Sequence, residues 1–573
     1  MKRILKYMKG YGKECVLSPL FKMLEASFEL LIPLVVARIV DVGILGNDRG
    51  YVVKMCLVMV LLGIIGLICA VTAQFFAAKA AVGFSARLRS RLMEKLLSLS
   101  YTQIDDLGTS TMVTRMTSDV NQVQTAVNLT LRLLLRSPFV VFGAMIMAFT
   151  IDFEAALVFV AVIPALCVVV FGIMLITMPM YKKVQNLLDG VTGATRDNLS
   201  GVRVLRAFCK EDAEKESFHK RTEALTASQM TAGRISAFLN PLTFVIVNLA
   251  VIALIQVGAI KVSGGILTQG MVIALYNYMS QILVELIKMV NLIITITKGV
   301  ACANRIGDVL DLDEEQVEPE KANLSGGVEF RDVTAHYAKS AEAALEGISF
   351  HAEPGQTIGV IGGTGSGKST LVNLIPKLYD AAGGEILLDG VPVSKMEYRT
   401  LRNQIGIVPQ KAVLFSGSIR ENLRWGREDV TDEELWEALE VAQARQVVED
   451  KDGALDAHVE QGGTNFSGGQ RQRLTIARAL VRKPKILIMD DSASTLDYAT
   501  DAALRQAIRN MEEPPTTFIV SQRAASVRFA DLILVLDDGV MVGKGTHEEL
   551  LKTCTVYQEI YHSQFRKEVG VNG

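Results

Sequence analysis

Two stretches of this chain are too long and too free of charge to be ordinary core helices of a water-soluble protein. Ala155–Met178 runs 24 residues, and Phe238–Ile260 runs 23, without an Asp, Glu, Lys or Arg. Roughly 20 apolar residues in a helix are enough to cross the hydrocarbon of a bilayer. In that medium backbone N–H and C=O groups find no water, so a helix, which pairs them internally, is the form such a run can take. Cys56–Ala78 is likewise uncharged, and Leu129–Ile151 carries only Arg132 and Arg136, near its start. Two candidates are less pure. Val16–Leu45 contains Lys22, Glu25, Glu29, Arg38 and Asp41, and Met271–Thr297 contains Glu285 and Lys288. Six spans are expected in all.

Basic residues orient them. The N-terminus carries Lys2, Arg3, Lys6, Lys9 and Lys13, and the connection between the second and third spans carries Lys79, Arg87, Arg89, Arg91, Lys95 and Arg115. The connection between the fourth and fifth holds ten more Lys and Arg residues, from Lys182 to Arg234. The alternate connections hold almost none. By the positive-inside rule both termini are expected on the cytoplasmic side. The two basic connections are long and amphipathic, so helices are expected to continue out of the membrane and turn back near 101–112 and 209–219. The ionisable residues of the impure spans have two readings. Glu25, Glu29, Glu285 and Lys288 either line a substrate cavity or pair between helices and near the interface; Glu25 and Glu29 share a helical face by their spacing.

The second half of the chain has a different grammar. Gly362-Gly363-Thr364-Gly365-Ser366-Gly367-Lys368-Ser369 fits the phosphate-loop pattern G-x-x-x-x-G-K-[ST], preceded by the apolar run Thr357–Ile361 and followed by a helix expected over 369–377. That strand–loop–helix context is what the motif requires: glycines bare backbone N–H groups to phosphates, Lys368 reaches the β/γ-phosphates, and Ser369 can ligate Mg²⁺. Phe466-Ser467-Gly468-Gly469-Gln470 follows, opening a strongly helical stretch, and then the apolar Ile486-Leu487-Ile488-Met489-Asp490. Ser467 and its glycines thus stand at a helix N-terminus, where N–H groups and the macrodipole attract phosphate.

These three elements in this order resemble the nucleotide-binding domain of an ATP-binding-cassette (ABC) protein, and with the spans before them the chain resembles a six-span ABC exporter half-transporter. The resemblance is close over 328–550 and looser in the membrane half. It implies an α-helical polytopic membrane domain of six transmembrane helices, type IV exporter-like, at 1–310. A linker at 311–327 and an α/β P-loop ATPase domain at 328–573 follow. It further implies ATP and Mg²⁺ as cofactors, with Gly362–Ser369 and Thr370 on the phosphates and Tyr337 (Phe330 is a poorer match) stacked on adenine. Ser369, Gln410 and Asp490 would serve the metal. Ser467, Gly468, Gly469 and Gln470 would face the ATP of a second subunit, and Ser494–Asp497 would link the two sites.

Besides Phe466, which stands where the family commonly has Leu and leaves the phosphate contacts of Ser467 and the backbone in place, two catalytic positions depart from the family's pattern. The residue after Asp490, usually a catalytic Glu, is Asp491, and the switch histidine is replaced by Gln522. Aspartate is one methylene shorter, and a retreat of roughly 1 Å from the attacking water can cost about a hundredfold in rate. Glutamine cannot carry imidazole's proton chemistry. Catalytic roles would fall to Asp491, Gln522 and Gln410, at a slow site. The signature is intact, which implies a heterodimer, over a homodimer, with a competent partner half-transporter.

The expected function is ATP-driven export of an amphiphile, whether small molecule, lipid or peptide, by a multi-pass protein of the bacterial cytoplasmic membrane. The alternative is an ATP-gated channel or regulator that binds nucleotide without pumping. A net charge of −2 offers no basic field for nucleic acid. The seven cysteines show no C-x-x-C or metal spacing and read as reduced structural thiols in apolar segments, not as a disulfide frame or zinc site.

Overall fold

The computed structural model describes residues 2–314, 323–337, 342–492 and 494–565; residues 315–322 of the expected linker lie outside them. Two compact units emerge, one formed by Met1–Leu97 and Ser110–Leu312, the other by Ser98–Thr109 and Asp313–Gly573.

The first unit is helical. After the short α1 (Lys2–Leu5) come α2 (Gly12–Arg38) and α3 (Arg49–Leu97). The chain then passes through α4 (Tyr101–Leu107), which belongs to the second unit. It continues with α5 (Thr109–Thr114), α6 (Val120–Leu133), α7 (Arg136–Ile151), α8 (Phe153–Ser200), α9 (Val202–Ala207), α10 (Glu211–Ala237), α11 (Leu239–Ser263) and α12 (Gln269–Leu310). Among the described residues five helical stretches are long and apolar enough to cross a membrane: Arg49–Leu97, Thr109–Ile151, Phe153–Ser200, Glu211–Ser263 and Gln269–Leu310. The expected first span, α2, is long enough at 27 residues but is interrupted by Lys22, Glu25 and Glu29. It belongs to the same bundle nonetheless. Ser18 Oγ donates to Ala73 O of α3 at 3.0 Å, and Ala26, Ala73 and Ala77 have no exposed surface. Small residues let helices approach closely where lipid supplies no hydrophobic contrast.

Helices α3 and α8 have 49 and 48 residues. At about 1.5 Å per residue each is roughly twice the thickness of a hydrocarbon core. The first turn-back lies at α4, as expected. The second does not lie at 209–219. Gly201 ends α8, α9 occupies Val202–Ala207, and α10 already begins at Glu211. Glu211, Asp212 and Glu214 in its first turn complement the positive end of the helix dipole, which is why the return helix starts there.

The second unit is built on two main sheets. Its strands are β1 (Val328–His336), β2 (Ala343–Ala352), β3 (Thr357–Gly362), β4 (Gly383–Leu388), β5 (Val391–Pro392) and β6 (Ile405–Val408). There follow β7 (Gly417–Ser418), β8 (His458–Val459), β9 (Ile486–Asp490), β10 (Thr516–Ser521), β11 (Leu532–Asp537) and β12 (Val540–Gly545). A six-stranded sheet has the order β12-β11-β3-β10-β9-β6, parallel except where β12 runs against β11. A four-stranded antiparallel sheet has the order β2-β1-β4-β5, and β7 and β8 pair in a small third sheet. Strands of a parallel sheet are covered on both faces, hence unbroken apolar runs; all five residues of β9 are buried. Phe330 stacks on Phe350 within one sheet at a centroid distance of 4.6 Å, and Phe350 meets Phe518 of the other sheet edge-on at 6.3 Å.

Topology positions the site. Strand β10 lies between β3 and β9, with Val520 opposite both Val360 and Asp490. The carboxyl ends of three strands distant in sequence therefore converge. Open α/β sheets bind ligands beyond such ends.

Candidate nucleotide site

The loop after β3 is shaped by its glycines. Gly365 and Gly367 take φ of +84° and +90°, a left-handed region other residues avoid. A side chain at Gly367 would also meet Ala344 O, 2.6 Å from its Cβ position. The loop delivers the chain into α13 (Lys368–Leu374), shorter than the helix expected over 369–377 because Pro376 and Lys377, at φ +52°, end it.

Lys368 is buried, and its Nζ donates to Gly362 O at 3.1 Å, Gly363 O at 2.5 Å and Ser366 Oγ at 3.3 Å. Burial holds its pKa below the usual lysine range against the opposing charges of Asp491 and Asp490. Ser369 Oγ donates to Asp490 Oδ1 at 3.0 Å. Burial, with the neighbouring charge of Asp491, raises Asp490 above the usual carboxylate range although the Ser369 bond opposes it. The structure thus brings Lys368, Ser369, Asp490 and Asp491 together. Tyr337 joins at the edge: it shares a 2.9 Å hydrogen bond with Thr370 Oγ1, and its ring is 40% exposed.

Asp491 itself sits at φ +46°. Its N–H donates to Val520 O at 3.0 Å, and its carbonyl accepts from Ser494 N and Oγ at 3.2 and 2.8 Å. The backbone is pinned, so the short side chain has little freedom to advance. Gln410 and Gln522 are exposed, and neither side chain hydrogen-bonds among the described residues.

The signature forms a separate surface. Helices α14 (Tyr398–Asn403), α15 (Ile419–Arg424), α16 (Asp432–Val441) and α17 (Arg445–Glu449) precede α18 (Gly468–Leu480). Ser467 caps α18: its Oγ accepts from Gln470 N at 3.3 Å, and Gln470 Oε1 accepts from Ser467 N at 2.9 Å. This capping box fixes the helix start and leaves Gly468 with no atom within 4 Å of an added Cβ. Phe466 is buried under Lys451, whose Nζ lies 4.8 Å from the ring centre, so this residue packs inward, away from the helix tip. Among the described residues Ser467–Gln470 form no hydrogen bond with Lys368, Ser369 or Asp490.

Comparison with known proteins decides the family. Residues 15–286 match the ABC transporter transmembrane region, and 345–494 match the ABC transporter family. An uncharacterized ABC transporter ATP-binding protein of Bacillus subtilis is 35% identical over 570 residues, covering 99% of both chains. Another, from Mycobacterium tuberculosis, is 37% identical over 571 residues, covering 98% of this chain and 97% of the relative. An ATP-dependent lipid A-core flippase of Desulfotalea psychrophila is 34% identical over 462 residues, 80% of each. The chain belongs to the ABC transporter family.

As an ABC half-transporter it is a multi-pass membrane protein with an ATP-binding, transport-coupled ATPase, and it works as a dimer. One site neighbour escaped the sequence reading. Tyr379, just beyond α13, donates its hydroxyl to Asp105 Oδ2 of α4 at 2.7 Å and sets its ring edge-on to Tyr337, 5.4 Å away. Burial and the Asp105 charge raise its pKa well above that of a free tyrosine. A tyrosine outside every motif, paired with an acid far away in sequence, leaves no local signal. The juxtaposition exists only after folding.

Proposed function

We propose that this chain is the slow-site half of a heterodimeric ABC exporter that moves an amphiphile out of the cytoplasm of a bacterial cell. The observation that carries the reading is Asp491. It stands beside a complete phosphate-binding set, on a backbone pinned to Val520, with one methylene too few to reach a water held for longer glutamate. The flippase likeness supports a lipid-like cargo, and the basic connections support cytoplasmic termini. The domain limits 1–310, 311–327 and 328–573 are part of this reading.

At its own site, Lys368 and the loop N–H groups would bind and orient the phosphates, and Tyr337 would present its open ring face to adenine. Ser369 and Asp490 fit a hard cation, since a buried carboxylate beside a hydroxyl and a second carboxylate has charge to neutralise. Gln410 would complete that set, and Mg²⁺ bound there would neutralise phosphate charge. Asp491 would accept the proton of the attacking water poorly, and Gln522 could donate a hydrogen bond but relay no proton. Nucleotide would therefore stay bound as a clamp. Ser467–Gln470, at the α18 N-terminus, would serve the ATP of the partner subunit.

The purified chain alone should hydrolyse ATP feebly, and Asp491→Glu combined with Gln522→His should raise its turnover roughly tenfold or more. In the complete complex Asp491→Asn should change turnover little, whereas Ser467→Arg should nearly abolish it. Robust turnover by a verified wild-type homodimer would refute the slow site. Vesicle flux that persists when hydrolysis is blocked would refute pumping.

A further inference from the structure

The membrane unit holds a charge cluster for which the ATPase chemistry has no use. Arg136, 6% exposed at the start of α7, donates from Nη1 to Glu285 Oε1 of α12 and from Nη2 to Glu29 Oε2 of α2, both at 2.6 Å. Ser137 Oγ donates to Glu285 Oε2 at 2.9 Å, and Lys288 Nζ to Glu285 Oε1 at 2.8 Å. Pairing between helices accounts for Arg136 and Glu285, whose side chains are both buried. It does not account for the ends of the cluster. The Glu29 and Lys288 side chains are 37% and 43% exposed, and both line one cavity of about 490 Å³ together with Asn277, Ser280 and Gln281.

Among the described residues Gln281 Oε1, in this cavity, is buried without a hydrogen bond, and so is Nε of the buried Arg136 beside it in the cluster. A buried polar atom left unpaired is costly, and a ligand N–H or oxygen would relieve it. Glu29 also lines a second cavity of about 310 Å³, with Arg136, Glu25, Phe28, Leu62 and Leu67 among its walls. Glu29 therefore stands where two chambers meet, each walled by both charged and apolar side chains.

Charge selects the ligand. Lys22, Arg136 and Lys288 balance Glu25, Glu29 and Glu285, so the cluster has no net charge to attract a simple ion. Its accessible ends carry opposite signs. We infer that this is a binding site for a zwitterionic amphiphile: an ammonium on Glu29 and Gln281, an anionic phosphate or carboxylate on Lys288, and a hydrocarbon tail along Ile32, Pro33 and Val284 of the same cavity. The inference rests on the exporter reading and names its substrate class.

Binding to the full chain in detergent should be measured with lysophosphatidylethanolamine, lysophosphatidylglycerol, dodecyltrimethylammonium and tail-less glycerophosphoethanolamine. Lysophosphatidylethanolamine should bind tightest, and glycerophosphoethanolamine at least tenfold more weakly. Glu29→Gln should weaken the zwitterion about tenfold while sparing the anion, and Lys288→Met should weaken the zwitterion while sparing the cation. Lys288 is half-exposed, so its variant keeps the test open if Glu29→Gln fails to fold. Equal affinity for all three charged amphiphiles, or a folded variant within twofold of wild type for the zwitterion, overturns the site. Tail-less headgroup binding as tight as the lysolipid overturns the amphiphile. If lysophosphatidylethanolamine binds as expected but is not moved by ATP in vesicles, the exporter reading fails and the site stands.

Discussion

The protein buries charge in two places and treats it in opposite ways. In the membrane unit, Arg136 is closed on Glu285 and Glu29 at 2.6 Å, and Lys288 and Ser137 complete Glu285. In the ATPase unit, Lys368 rests on loop carbonyls and Ser366 and forms no ion pair among the described residues, although Asp490 and Asp491 lie near enough to act on its pKa. The first cluster is mostly satisfied by the protein. The second is left short of countercharge, because phosphates and a cation bring it. An internally paired cluster serves the fold first; one held open is a site in waiting.

Breaking the closed cluster should have the largest effect. Arg136→Met takes the guanidinium from between Glu29 and Glu285 and leaves Lys288 alone on Glu285, and removing one partner of a buried pair typically costs about 3–5 kcal/mol. The variant should accumulate poorly or unfold well below the wild type in a detergent melt. Replacing Glu285 by Met as well should restore part of the loss. If Arg136→Met melts like the wild type, the membrane cluster is not closed in the sense argued.

The open cluster should respond the other way. Lys368→Met removes a desolvated, unpaired cation, so the nucleotide-free chain should melt no lower than wild type. ATP affinity should fall roughly ten- to a hundredfold, the scale of lost charge-assisted hydrogen bonds. Isothermal titration and a melt on one sample check both. A destabilisation like that of Arg136→Met would erase the contrast.

How much of this was legible beforehand follows the same division. The phosphate loop, Asp490 and the signature were readable because backbone geometry demands particular residues at fixed spacing; Gly367 has no alternative beside Ala344 O. The uncharged spans were readable because lipid permits little else. Arg136 was visible only as an impurity near a span's start, and its partners sit 107 and 149 residues away. A usable signal existed: charges in three different spans that balance. The second turn-back was misplaced because the acidic start of α10 reads as a polar loop until its helix-capping role is weighed. Tyr379 had no signal, since its partner Asp105 is 274 residues distant.

Asp490→Asn sharpens the open cluster further. Burial and Asp491 raise the Asp490 pKa, so its ionised form is disfavoured in the folded state. That group's contribution to stability is greatest below the unfolded carboxylate pKa and is lost as pH rises through the raised folded value. At pH 7 the amide should therefore melt higher than wild type without nucleotide, and the gap should vanish in acid. Its Mg²⁺-dependent ATP affinity should fall at least about tenfold. A variant that melts lower at pH 7 would mean Asp490 is stabilised by partners other than Ser369.

The smallest effect tests a third treatment of charge. Asp105 of α4 meets no cation among the described residues; it accepts a hydrogen bond from the Tyr379 hydroxyl, whose ring also leans on Tyr337 and, through the Tyr337 hydroxyl, on Thr370 beside the phosphate loop. Tyr379→Phe keeps the ring contacts and deletes the hydroxyl. Asp105 is exposed and can turn to water, so the loss in stability should be about 1 kcal/mol or less. ATP affinity should stay within about twofold, because the Tyr337–Thr370 bond survives. Coupling should not stay intact: α4 lies between long membrane helices, and this hydroxyl ties it to the nucleotide loop's neighbours. Substrate stimulation of ATP hydrolysis in the complete complex should fall by about half while basal turnover holds. Equal stimulation in Tyr379→Phe and wild type would show that the hydroxyl only fastens α4 and carries nothing between the membrane helices and the loop.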